Sequence, residues 1–135
     1  MSFNKLKFGS TIGIIGGGQL GKMMAQSAQK MGYKVIVLDP NEDSPCRYVA
    51  HHFIHANYDD EQALTELGES SDVITYEFEN ISSQLLKQLT DNYNVLKDIK
   101  RFSYFKTVSL KSKLYKMLVH ILFLFYKLKI NKIYI

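Results

Sequence analysis

The sequence of 135 residues contains no tryptophan, one cysteine and two prolines. The single cysteine, Cys46, cannot form an internal disulfide, which excludes the small disulfide-rich folds of secreted proteins. The first thirty residues lack the charged start, apolar middle and small-residue cleavage site of a secretory signal. We therefore expect a cytoplasmic protein, and a chain of this length suits one ordinary domain rather than a multi-domain enzyme.

The last 41 residues lack five residue types altogether. All 8 glycines and both prolines precede residue 95, and residues 95–135 also contain no alanine, glutamate or glutamine. Because Gly and Pro form turns and the other three favour helices, an α/β segment rarely lacks all five. Residues 1–94 carry 7 basic and 12 acidic side chains, whereas residues 95–135 carry 10 and 1. We therefore divide the chain into a domain over 1–94 and an atypical basic, aromatic tail over 95–135, helical or disordered.

Two interpretations of the tail stay open. Its abundant residue types have A/T-rich codons, which favours out-of-frame translation of an A/T-rich gene. A genuine lysine-rich extension is the alternative, since Leu118–Tyr126 is apolar apart from His120 and is flanked by lysines. That stretch is far shorter than the ~20 residues that span a bilayer, but it could lie on an anionic membrane surface or contact nucleic acid. We favour the frame shift and expect neither membrane nor nucleic acid as a partner.

Residues 1–94 alternate between strand and helix patterns. Thr11–Ile15 and Tyr33–Leu38 are continuous apolar runs, typical of strands buried on both faces of a parallel sheet. Between them, helical spacing begins at Gln19, and Gly32 is well placed to end the helix. The order predicts a doubly wound, Rossmann-like α/β sheet. The remaining predicted elements are a strand at His52–Ala56, a helix from Asp59 through Leu67 that Gly68 stops, a strand at Asp72–Tyr76 and a helix at Ile81–Asn92 with Asn80 or Ser82 as its cap.

The strongest motif is the glycine-rich stretch Gly16–Gly21. It fits G-x-G-x-x-G and lies directly after a strand and at a helix start. The first glycine permits a tight turn, the second lets backbone N–H groups approach a phosphate, and the third lets helix and strand pack closely. Asp39 ends the second strand, where nucleotide-binding folds place a ribose-binding acid. We predict Gly16, Gly21 and Asp39 as cofactor-binding residues, the alternative being that the glycines only serve the turn.

Two weaker candidates follow. Glu77 and Glu79 come after the fourth strand, and two carboxylates two residues apart in an extended chain point the same way. They could meet an amine or hydroxyls of a ligand, although a solvated loop is the alternative. A metal site at His51, His52 and His55 is disfavoured because the segment is predicted as a strand with few other ligands near it. We expect no metal ligand.

Three segments together resemble the start of the N5-carboxyaminoimidazole ribonucleotide synthases, a family of the ATP-grasp superfamily. They are Gly16–Ala25, Val37–Pro40 and Thr75–Asn80, and the resemblance covers residues 10–94 in the family's order and spacing. It implies the Rossmann-like N-terminal domain of a three-domain ligase. In purine biosynthesis, that ligase joins bicarbonate to 5-aminoimidazole ribonucleotide and cleaves ATP, held with Mg²⁺, to ADP and phosphate.

The resemblance also implies roles for particular residues. Gly17, Gly18, Gln19 and Leu20 would lie near the ribonucleotide, Glu77 would contact its amino-imidazole end, and Glu79 is a further substrate-binding candidate. ATP and Mg²⁺ bind mainly to the two later domains of the family, so we expect this chain to bind neither tightly and to hold no catalytic residue.

The resemblance stops after Asn94. The family continues there with a proline-containing linker, whereas this chain reads Val95–Lys100 without a match. We therefore expect a truncated chain that is inactive alone and does not form the family's homodimer. Two alternatives remain: a small dinucleotide- or nucleotide-binding module, and a membrane or nucleic-acid binder that uses its basic tail.

Overall fold

The computed structural model describes residues 6–76 and 82–95 of the chain. Lys7–Leu96 form one compact unit, in which four strands alternate with three helices. The predicted tail lies outside the described residues apart from Val95, and it stays a prediction. The elements are β1 (Thr11–Ile15), α1 (Gln19–Lys30), β2 (Lys34–Asp39), β3 (His52–His55), α2 (Glu61–Ser70), β4 (Val73–Tyr76) and α3 (Ser83–Asn92).

The four strands form one parallel sheet in the order β3-β2-β1-β4. β1 is central, and its last residue, Ile15, is in register with Leu38 of β2 and Tyr76 of β4. The carboxyl ends of β1, β2 and β4 therefore meet at one edge of the sheet. This architecture confirms the predicted doubly wound α/β fold.

The sheet buries apolar side chains on both faces, as the continuous apolar runs of β1 and β2 predict. Side chains alternate along each strand, so Ile15 and Leu38 point to one face while Ile14 and Val37 point to the other. α1 packs on β1 and β2 on the second of these faces, with Met24 buried. The core under α2 and α3 consists of Ile15, Ile36, Leu38, Ile54, Ala63, Leu64, Leu67, Ile74, Leu89 and Val95.

Two helix ends follow the predictions. Gly32 ends α1 with φ 88°, a left-handed conformation that glycine adopts without steric cost. There the Tyr33 amide donates to the carbonyl of Ala28 at 3.0 Å, which satisfies one of the last helical acceptors. Ser82 caps α3, because its hydroxyl accepts a hydrogen bond from the Leu85 amide at 3.1 Å.

The predicted end of α2 at Gly68 is wrong. α2 continues to Ser70, and Gly68 is a buried residue inside the helix. A Cβ at Gly68 would clash with the ring of Tyr93, so the missing side chain makes room for an aromatic ring rather than ending the helix. The cost of glycine within a helix is offset here by close packing. The other boundaries differ from the predictions by one or two residues, which is the usual uncertainty of helix and strand ends.

Residues beyond α3 return to the sheet. The Ile74 amide donates to the carbonyl of Asn94 at 2.9 Å, and Val95 forms a parallel bridge with Ile74. Val95 is 8% exposed and belongs to the core under α2 and α3. Val95, the residue at which the composition of the chain changes, therefore pairs with β4 through a single parallel bridge. No helix within residues 6–76 and 82–95 is long and apolar enough to cross a bilayer.

Candidate functional site

The glycine turn, Gly16–Gly18, joins β1 to α1 at the carboxyl edge of the sheet. Gly16 has φ 102°, and its amide donates to the carbonyl of Leu38 at 2.8 Å, which ties the turn to β2. Gly18 precedes α1 in an extended conformation, and no side chain caps the helix. The first amides of a helix have no acceptor within it, so the start of α1 presents donors and partial positive charge at this edge.

Both backbone polar groups of Gly17, the amide and the carbonyl, form hydrogen bonds within the chain. Its amide donates to Asp39 Oδ2 at 2.7 Å, and its carbonyl accepts from the Ser44 hydroxyl and from the Cys46 amide, the latter at 3.0 Å. A Cβ on Gly17 would clash with Ser44 Oγ and lie 3.1 Å from Val37 Cγ1. With its donor and acceptor turned inward, Gly17 contributes the shape of the turn.

Asp39 lies beneath the turn as the last residue of β2. It is 7% exposed, and its carboxylate accepts three hydrogen bonds from residues that the structure describes. Oδ2 accepts from the Gly17 amide at 2.7 Å and from the Tyr58 hydroxyl at 3.3 Å, while Oδ1 accepts from the Asn41 amide at 2.7 Å. The predicted ribose-binding role of Asp39 stays a prediction.

The loop after β2 closes on the turn through two residues that no motif predicts. Ser44 and Cys46 are both buried, and the Cys46 thiol lies 4.0 Å from the Gly18 carbonyl. The short polar loop that follows Asp39 is the only hint in the sequence, and it gives no reason to expect contact with Gly17. The contacts arise because parallel strands bring β1 and β2 to the same edge.

Of the other predicted site residues, some lie within the part of the chain that the structure describes and others lie outside it. Gln19 and Leu20 are the first residues of α1, so they lie at the carboxyl edge together with the glycine turn. Gly21 is buried inside α1, and its cofactor-binding role stays a prediction. Glu77 and Glu79 lie outside the described residues, although the strand that leads to them ends at Tyr76, in register with Ile15 directly before the turn.

The three histidines around β3 contact three different partners. His51 Nδ1 accepts a hydrogen bond from the Val35 amide at 3.1 Å, and His52 Nε2 lies 3.0 Å from Glu66 Oε1. His55 Nε2 lies 2.9 Å from the carbonyl of Pro40. Within residues 6–76 and 82–95, no group of three His, Cys, Asp or Glu residues could hold a metal ion.

We expect His51→Ala to lower the free energy of unfolding by about 1 to 2 kcal/mol, because the Val35 amide loses its acceptor. Urea unfolding followed by circular dichroism measures the change. His52→Ala is the matched control: its exposed contact with Glu66 is expected to contribute about 0.5 kcal/mol or less. Equal effects of the two substitutions would show that His51 has no special role in the sheet.

Comparisons with known proteins cover the predicted domain, and the family match extends past Asn94, where the resemblance in the sequence motifs ends. A family model described as the ribonucleotide synthetase preATP-grasp domain matches residues 9–103. The N5-carboxyaminoimidazole ribonucleotide synthase of Staphylococcus epidermidis is 83% identical over 95 residues, which are 70% of this chain and 25% of that protein.

Solved structures agree with the sequence matches. The Staphylococcus aureus N5-carboxyaminoimidazole synthetase complexed with ADP has a TM-score of 0.69 and 74% identity, covering 73% of this chain and 27% of that one. The Aspergillus clavatus N5-carboxyaminoimidazole synthase, solved with ADP and 5-aminoimidazole ribonucleotide, has a TM-score of 0.58 and 26% identity. That match covers 69% of this chain and 25% of the fungal one.

The chain thus spans about a quarter of the length of the curated relatives it matches. The resemblance carried by Gly16–Ala25, Val37–Pro40 and Thr75–Asn80 is confirmed, because these relatives are N5-carboxyaminoimidazole ribonucleotide synthases. The family model covers well over half of the sequence, including all four strands and the glycine turn. The chain therefore belongs to the family of ribonucleotide synthetase preATP-grasp domains.

Proposed function

We propose that residues 10–94 act as the N-terminal domain of a cytoplasmic ATP-dependent carbon–nitrogen ligase. The ligase carboxylates 5-aminoimidazole ribonucleotide with bicarbonate in purine biosynthesis. The observation that carries this proposal is the 83% identity to the S. epidermidis synthase over 95 residues. The A. clavatus relative, solved with 5-aminoimidazole ribonucleotide and ADP, supports the same substrate class.

The contribution of this domain is to form one wall of the ribonucleotide site. The glycine turn and the first residues of α1, Gln19 and Leu20, offer backbone donors and the positive end of a helix dipole to an anionic ligand. Glu77 is the proposed contact for the amino-imidazole end, with Glu79 as a second candidate. The register between Ile15 and Tyr76 supports a shared site, because it brings the chain that leads to Glu77 close to the turn.

ATP and Mg²⁺ belong to other parts of the full-length enzyme under this proposal. The described residues do not fit a Mg²⁺ site, since residues 6–76 and 82–95 hold no group of three suitable ligands. The S. aureus relative was solved with ADP, and this chain covers 27% of that protein. We propose that this chain alone neither hydrolyses ATP nor carboxylates the ribonucleotide, and that it does not form a homodimer.

Titration of the ¹⁵N-labelled 135-residue chain with 5-aminoimidazole ribonucleotide, followed by NMR, tests the proposal. We expect weak, millimolar binding, because one wall of a site gives only part of its contacts. The amides of Gln19 and Leu20 are expected to shift most, and amides at the amino ends of β1 and β4 least. Glu77→Gln is expected to weaken binding, whereas Glu69→Gln, an exposed change on α2, serves as the matched control.

Other outcomes identify the alternatives. NADH binding with shifts at Gly16–Gly21 would favour a dinucleotide-binding module. Salt-sensitive binding to DNA or anionic vesicles, lost on deletion of residues 96–135, would favour a function of the tail. Absence of chemical-shift changes when the ribonucleotide is present at millimolar concentration would contradict the proposal that this domain forms one wall of the ribonucleotide site.

A further inference from the structure

We propose that Asp39 is a positioning residue: without touching the ligand, it fixes the glycine turn in the orientation that the ribonucleotide requires. The inference rests on the proposed function for the identity of the ligand. It gives Asp39 a role different from the ribose binding that its place in the fold suggests. The deciding observation is the buried carboxylate shared by three segments of the carboxyl edge.

The three donors to Asp39 come from three separate loops. Gly17 belongs to the turn between β1 and α1, Asn41 to the loop after β2, and Tyr58 to the loop between β3 and α2. Two of the three distances are 2.7 Å, which is short for an N–H donor and typical of charge-assisted bonds. One carboxylate therefore holds the loops of this edge together.

The charge of Asp39 suits this position. The carboxylate lies under the turn that begins α1, where the positive end of the helix dipole stabilises an anion. Among residues 6–76 and 82–95, the ion pairs are Arg47–Glu42 and His52–Glu66, so Asp39 is stabilised by backbone and hydroxyl donors rather than by a cation. A neutral amide side chain of the same shape would keep the packing and lose the bonds to one of the two carboxylate oxygens.

The consequence for the site passes through Gly17. Since its amide is held by Asp39 and its carbonyl by Ser44 and Cys46, the peptide planes of the turn have little freedom. The direction of the next amides, at the start of α1, depends on those planes. Release of Gly17 from Asp39 would let the turn reorient, and a ligand would then have to bear the entropy cost of ordering it.

Asp39→Asn in the full chain tests the inference. The asparagine amide keeps one oxygen acceptor and has an NH₂ donor in place of the other. It therefore cannot accept hydrogen bonds from the Gly17 and Asn41 amides with two different oxygens, as Asp39 does. The first readout is hydrogen exchange at the Gly17 amide divided by exchange at the Ile14 amide of central β1 in the same variant. This ratio cancels changes in global stability, and we expect it to rise roughly tenfold or more. The ribonucleotide dissociation constant is expected to rise by a similar factor.

Two matched variants separate positioning from stability. Val73 is buried at the amino end of β4, at the edge of the sheet opposite the glycine turn. Val73→Ala is therefore expected to destabilise the fold while leaving the exchange ratio unchanged. Tyr58→Phe removes the hydroxyl that donates to Asp39 at 3.3 Å and is expected to leave the Gly17 amide protected.

An unchanged exchange ratio in Asp39→Asn would overturn the inference, as would a raised ratio with wild-type ribonucleotide affinity. If the wild-type chain does not bind the ribonucleotide, the proposed function fails, and the exchange ratio alone decides whether Asp39 positions the turn.

Discussion

Gly17→Ala is expected to lower the free energy of unfolding by about 2 to 4 kcal/mol, because the added methyl group has no room. It would clash with Ser44 Oγ and lie 3.1 Å from Val37 Cγ1 and 3.2 Å from Cys46 Cβ. Val37 belongs to a strand in the sheet, so the turn or the loop after β2 has to move. Such a movement breaks hydrogen bonds that hold Gly17.

Urea unfolding of the full chain, followed by circular dichroism and by the fluorescence of its 9 tyrosines, measures this loss. Gly17→Ala combined with Ser44→Gly removes the hydroxyl that causes the worst contact and is expected to recover part of the stability. Gly9→Ala is the control for backbone strain alone: Gly9 has φ 83° and open space around its Cβ position, so a cost of about 1 kcal/mol is expected. A Gly17→Ala variant as stable as the wild type would contradict the close-packed turn.

Leu67→Ala is expected to cost about 3 kcal/mol, within the range for leucine truncation in a rigid core. Leu67 is fully buried on α2 and packs against the sheet, where its Cδ1 lies close to Gly13. The substitution leaves a cavity under the helix, and the sheet cannot collapse into it because β1 is paired on both sides. Since single domains are stable by about 5 to 15 kcal/mol, this is a large share of the total.

The same unfolding experiment measures this change, with two comparisons. Leu67→Met conserves volume and is expected to cost less than about 1.5 kcal/mol. Leu86→Ala, on the half-buried side of α3, is expected to cost about 1 kcal/mol because much of its side chain already contacts water. If Leu67→Ala lowered the free energy of unfolding no more than Leu86→Ala does, Leu67 would not be packed in the core as described.

Local patterns were sufficient to predict most of the fold. Thr11–Ile15 and the helix start at Gln19 match the structure, because apolar runs and a glycine turn are signals that neighbouring residues carry. Gly68 shows the limit of such signals. A glycine near the end of a helical pattern suggests a stop, but here it accommodates Tyr93, which is distant in sequence. Contacts of this kind depend on the tertiary structure.

The candidate site divides along the same line. The motif predicts where the glycine turn lies, since its spacing is local. The contacts that hold Gly17, from Asp39, Ser44 and Cys46, depend on the pairing of β1 with β2 and on the path of the following loop. Asp39 illustrates the difference: its position in the sequence predicts a ligand contact, whereas its burial and three donors indicate a bond to its own chain.

The central place of β1 also shapes how the chain folds during synthesis. β1 is the first strand to be synthesised, but β4, its second neighbour in the sheet, is synthesised much later. Asp72, which accepts a hydrogen bond from the Thr11 amide beside β4, lies 61 residues after Thr11 in the sequence. Until β4 leaves the ribosome, one side of an apolar strand keeps unpaired amides and carbonyls, a template for wrong strand pairing. Nascent chains that pause in this interval are therefore expected to be the most prone to wrong strand pairing.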